Sequence, residues 1–251
     1  TIMVNAPAFE YAVLKAKELP KLGIGLHINL TQGKPISSVD ELHSLLNGSG
    51  EFLNNLEQRK NLFFFSPLKY RHLKKEISIQ FQKSFDSGIK LTHFDSHHHI
   101  TGLPSSSLAA MCSAKLFNVN KARVTSIKFW NLSNESILLK QLKALPKETV
   151  HKFNKYLLRV KGFETPDFKI LPNRVLPLQG DFNKQFILAL SVIQDGDTVE
   201  IALHPGYEDP DLVQKKETAD IRKRDIDVSM NSEVFEYIKS NGIKLINYAE
   251  L

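Results

Sequence analysis

Cysteine is almost missing from this sequence: Cys112 is the only one among 251 residues. That excludes an intramolecular disulfide framework and leaves nothing from which a thiolate metal cluster could be built, so a reducing, cytoplasmic setting is expected. Long apolar runs are scarce too. None approaches the roughly 18 residues that a membrane span needs, and no charged segment followed by an apolar core opens the chain. There is no low-complexity linker and no internal repeat. A concentrated charge of one sign is also lacking. The 33 basic and 27 acidic residues leave a net charge of +6, but the lysines are scattered and cluster only briefly, as at Lys215-Lys216 and Arg222-Lys223-Arg224. Solvated helix faces explain that pattern, and a nucleic-acid groove is not expected. What the chain does have is 42% hydrophobic and 24% charged residues, the balance of a soluble globular protein. Its length suits one domain over residues 1–251, and in particular a closed α/β barrel.

Short apolar runs alternate with helical periodicity. Residues 2–5 read as a strand, 7–19 as a helix and 22–30 as a second strand, which makes a β-α-β unit. Further strands are expected at 91–95, 122–126, 198–203 and 243–247, with helices over 68–87 and 229–240. The implied architecture is a parallel sheet covered by helices. Residues 34–66 and 132–177 are less periodic and read as excursions over one end of the sheet.

Three stretches carry chemistry. In Gly25-Leu26-His27-Ile28-Asn29-Leu30, alternation puts Leu26, Ile28 and Leu30 on one face and Gly25, His27 and Asn29 on the other. The second is His93-Phe94-Asp95-Ser96-His97-His98-His99-Ile100. If the strand persists, His93, Asp95, His97 and His99 share a face, and a carboxylate lies where it could fix an imidazole tautomer. In the third, His204 stands where Pro205-Gly206 stops a strand. A histidine alone reads equally well as a hydrogen-bonded core or turn residue. In parallel α/β folds, however, ligands collect at the carboxyl ends of strands, and here three strands end in histidine. Two or three imidazoles with an aspartate describe an open site for zinc or a similar ion.

At these residues the chain resembles the YdjC-like carbohydrate deacetylases. The resemblance is carried by Met3-Val4-Asn5-Ala6-Pro7-Ala8, by Gly25-Leu26-His27-Ile28-Asn29-Leu30-Thr31 with Gly33-Lys34-Pro35, by Thr92-His93-Phe94-Asp95-Ser96-His97-His98-His99 and by His204-Pro205-Gly206-Tyr207, with a weaker likeness at Thr165-Pro166-Asp167-Phe168. It implies a distorted TIM-like (β/α) barrel of the NodB deacetylase type and removal of acetyl groups from N-acetylated amino sugars or chito-oligosaccharides. It also implies one divalent ion, Zn²⁺ or Mg²⁺, on His27 and His97, with His204 as the catalytic acid. Asp95, His99, Asn29 and Arg123 are then expected behind the ligands or at the substrate, although surface ion pairing accounts for Arg123 equally well. Aromatics of the two excursions, Phe63, Phe64, Phe65 and Trp130, could stack on sugar rings or serve the core.

The family's third ligand and base belong to an Asp-Asp pair on its first strand. That pair does not occur in this sequence, and the resemblance places it roughly 30 residues upstream of Thr1, in a strand that this chain lacks. Two other readings stay open: another metal-dependent barrel hydrolase, acting as a phosphoesterase or amidohydrolase, and a non-catalytic sugar-binding or regulatory barrel. Neither a nucleic-acid nor a membrane partner is expected, and a homodimer is one open oligomeric arrangement.

Overall fold

The computed structural model describes residues 1–123, 149–150, 152–170, 181–207 and 219–251. Packing groups the chain into two compact units. The first comprises Thr1–Thr125, Lys147–Thr165 and Ile246–Leu251, and the second Ser126–Pro146 and Pro166–Leu245.

The first unit contains α1 (Phe9–Glu18), β1 (Ile24–Ile28), α2 (Asn55–Asn61), α3 (Pro67–Asp86), β2 (Leu91–Ser96) and α4 (Pro104–Leu116). Its sheet is parallel. β1 pairs with β2 so that His27 lies beside Asp95. Parallel bridges Ile2↔Leu26, Phe94↔Ala122 and Lys121↔Glu164 extend the pairing on both sides. Leu26, Ile28 and Leu30 are fully buried, as alternation predicts, and they pack with Phe9 and Val13 of α1 and Leu73, Ile77 and Phe81 of α3. Those last three recur every fourth residue, which puts them on one helical stripe.

Helix starts follow ordinary capping chemistry. Ser66 caps α3, whose first residue is Pro67. Asn54 opens α2 with a capping box completed by Glu57. α3 also buries a polar ladder, His72, Glu76 and Gln80. Glu76 accepts from the backbone of Ile36 and Ser37, and Gln80 both accepts from Asn29 N and donates to Asn29 O. The loop leaving β1 is therefore clamped to the sheet's covering helix.

The second unit contains β3 (Phe168–Ile170), α5 (Phe182–Leu190), β4 (Val199–Ile201), α6 (Ala219–Ser229) and α7 (Ser232–Ser240). β3 and β4 are parallel neighbours, and a separate apolar core, including Ile170, Phe186, Leu190, Val228 and Val234, packs within this unit.

The architecture is mixed α/β, as expected. The described strands form two separate parallel sheets, and no closed barrel occurs among the described residues. Residues 243–247, expected as a strand, have no regular secondary structure; the Asn247 side chain caps the short 3₁₀ turn Tyr248–Glu250. The helix expected over 229–240 starts at Ser232, where Asn231 caps it. Most of the proposed 122–126 strand and Trp130 lie outside the described residues. No helix among the described residues is long and apolar enough to cross a membrane.

Candidate metal centre

β1 and β2 run side by side, so their carboxyl ends bring His27, Asp95 and His97 together. The His27 and His97 ring centres are 5.5 Å apart, at an interplanar angle of 72°. Asp95 Oδ1 lies 2.7 Å from His27 Nδ1. The other carboxylate oxygen is ion-paired with the Arg123 guanidinium. The Asp95 side chain is wholly buried, while His27 keeps 21% of its side chain exposed. Burial alone would raise the Asp95 pKa, but the Arg123 charge and then His27 outweigh it and hold the carboxyl well below the usual carboxylate range. An ionised Asp95 accepts from Nδ1–H, which leaves Nε2 of His27 as the free lone pair.

Beyond Ser96 the expected alternation ends. His97 enters a 3₁₀ turn, and His98 and His99 adopt left-handed backbone with φ of 52° and 53°. His99 therefore does not continue the face of Asp95 and His97. For a non-glycine residue this conformation costs about 1–2 kcal/mol, so surrounding bonds must hold it. Several are present. Ser96 Oγ accepts from Thr101 N at 3.0 Å, Thr31 Oγ1 lies 3.0 Å from His98 Nδ1, and Arg59 Nη2 donates to the carbonyls of His98 and His99.

Asn29 is just as tightly engaged. Its Nδ2 donates to Asn5 Oδ1 and to the Gln32 carbonyl, and its Oδ1 accepts from Thr31 N. The amide expected behind the ligands or at the substrate clasps the loop that presents Thr31 to His98. Arg123, expected in one of the same two places, has its guanidinium on Asp95, behind His27. His93 lies toward the start of β2, where it stacks on Tyr248 with ring centres 3.7 Å apart. Burial pushes its pKa down to about 3.

His204 belongs to the second unit, just past β4. It is exposed, and its backbone N–H donates to Asp225 Oδ2 of α6 at 2.7 Å. The buried Asp225 thereby fixes the turn on which the histidine stands.

Two imidazoles that each reach one ion at about 2 Å in tetrahedral geometry place their ring centres roughly 5 Å apart. The observed 5.5 Å fits that spacing. A buried carboxylate behind one ring also fits the usual environment of a metal-bound histidine. Among the described residues no group of three or more histidine, cysteine, aspartate and glutamate side chains is arranged to hold an ion. His27 and His97 thus supply two imidazole donors side by side, fewer than such a group needs.

Against known families, the YdjC-like protein model matches residues 1–240. The chain belongs to the YdjC-like family. A carbohydrate deacetylase of Brevibacillus brevis is 28% identical over 251 residues, covering all of this chain and 87% of that protein. A carbohydrate deacetylase of Clostridium beijerinckii is 26% identical over the same length and coverage. A structure from Enterococcus faecalis, named for cellobiose-phosphate cleavage, superposes with a TM-score of 0.74 at 23% identity, over 98% of this chain and 85% of that one. That likeness bears on the fold alone.

Sequence reasoning missed Thr31 and Arg59 as supports of the turn that follows His97 in this YdjC-like chain. One signal was available: Asn54 with Glu57 is a capping-box pair, and it marks a helix inside the stretch read as an irregular excursion.

Proposed function

We propose that the chain is a carbohydrate deacetylase that hydrolyses the acetamide of an N-acetylated amino sugar or chito-oligosaccharide. The observation that supports this most directly is the chain of contacts from Arg123 through Asp95 to His27, beside His97, in a chain whose relatives include proteins named carbohydrate deacetylase. His27 and His97 would hold one divalent ion, Zn²⁺ or Mg²⁺. When bound, such an ion polarises the amide carbonyl and lowers the pKa of water.

The residues divide the remaining work. Asp95, kept ionised by Arg123, holds the His27 proton on Nδ1 and so keeps Nε2 available. Thr31 and Arg59 hold the turn that follows His97. His204 is assigned to protonate the leaving amine. Catalytic zinc sites usually have three protein ligands, and the aspartate that the resemblance implies would be the third. The finer fold reading, a distorted (β/α) barrel, belongs to the same proposal.

The test is metal analysis of the purified chain paired with acetate release from N-acetyl chito-oligosaccharides. About one divalent ion per chain is expected, with metal and activity both lost in His27→Ala and His97→Ala. Full activity in both variants would sink the proposal.

A further inference from the structure

α2 reaches both strand ends that carry the site's histidines. Gln58 is fully buried, and its Nε2 donates to the Leu30 carbonyl at 2.8 Å, three residues past His27, and to Leu45 O at 3.1 Å. The next residue, Arg59, donates from Nη2 to His98 O at 2.6 Å and to His99 O at 3.4 Å, directly past His97. Two adjacent residues of one helix therefore bridge the ends of β1 and β2. The guanidinium is itself oriented, because Arg59 Nε donates to Asn55 Oδ1 at 3.0 Å within the same helix. The capping box at Asn54 fixes where that helix begins. Both carbonyls held by Arg59 belong to residues in left-handed backbone, so the guanidinium acts where the turn most needs restraint.

We propose that α2 is a cross-brace of the metal centre and that Arg59 is its positioning residue, holding the His98–His99 turn so that His97 stays opposite His27. This rests on the reading of His27 and His97 as metal ligands. Arg59 acts through backbone carbonyls and makes no contact with the ion. A lysine could reach one carbonyl, but it lacks the planar fork that both Asn55 and the turn engage.

Calorimetric titration of the full chain with Zn²⁺ tests the inference, on the wild type, Arg59→Ala, Arg59→Lys, His27→Ala and His97→Ala, alongside the melting midpoint of each zinc-free chain. Arg59→Ala is expected to weaken zinc binding about 10- to 100-fold, the usual effect of removing a group that orients a ligand, with partial recovery in Arg59→Lys. If Arg59→Ala does not fold, Arg59→Lys carries the test, and its weakened binding at a near-native midpoint supports the proposal. Equal zinc affinity in the wild type and the folded Arg59 variants, with only the midpoint lowered, overturns it and leaves Arg59 a structural residue. A wild type that binds no zinc, or histidine variants that bind it equally well, overturns the ligand reading and this inference with it.

Discussion

At the residue scale, the same strand supplies two histidines with opposite fates. His97 stands just past the carboxyl end of β2, partly buried beside a second imidazole. His93 stands toward the other end, against the face of Gly25, where an added Cβ would come within 2.5 Å of the ring. Both were legible as inward-facing residues, but the difference between them was not, because it depends on Tyr248, 155 positions later in the chain and stacked on His93. Burial lowers the His93 pKa to about 3, so protonation favours the unfolded chain, where the group titrates near its ordinary 6.5. Stability is therefore expected to fall as pH drops below about 6.5, by about 2 kcal/mol from this group between pH 6.5 and pH 5, and to stop falling on its account near pH 3. Burial lowers His72 as well, in the same direction. Urea midpoints of the wild type and His93→Gln at pH 7, 6 and 5 separate the two. The variant should show a shallower slope, and parallel slopes would remove His93 as the source.

At the element scale, periodicity located the elements whose faces differ and missed those whose faces do not. β1 was readable because Leu26 and Ile28 alternate with Gly25 and His27, and α3 because Leu73, Ile77 and Phe81 form a stripe. α4 escaped notice because small residues cover it on several sides; Ser106, Ser107, Ala109, Ala110, Met111, Ser113 and Ala114 are all buried. β3 is three residues long, too short for any period to show. The most consequential miss was the end of β2. Alternation would carry the strand through His99, whereas the backbone turns left-handed at His98 because side chains distant in sequence hold it there. Asparagine tolerates that conformation and a β-branched residue does not. His99→Val is therefore expected to be less stable than His99→Asn by about 1–2 kcal/mol, since both lose the ring and asparagine is the one that tolerates the left-handed backbone. Chemical denaturation of the pair measures it. Equal midpoints would mean that the turn relaxes at no cost.

At the scale of the whole molecule, two apolar cores divide the chain, and the two candidate metal ligands lie in only one of the compact units. No local motif marks that grouping, because the first unit joins segments from both ends of the chain. It has a thermodynamic consequence. An ion bound to His27 and His97 in the folded state alone stabilises the unit that contains them, by about 2.7 kcal/mol at a free concentration 100 times Kd. For a chain of this size that corresponds to roughly 5–10 °C in melting temperature. Scanning calorimetry with and without Zn²⁺ should therefore show an upward shift of the transition in which the first unit melts, reversed by a chelator. His97→Ala should abolish the shift, since one imidazole backed by Asp95 is a much weaker ligand set than two. The Ala variant at the exposed His204, in the other unit, should keep it, because that side chain is assigned to the leaving group and not to the ion. A zinc shift that survives in His97→Ala would place the ion elsewhere, and a shift lost in His204→Ala would make that histidine part of the metal's own ligand set.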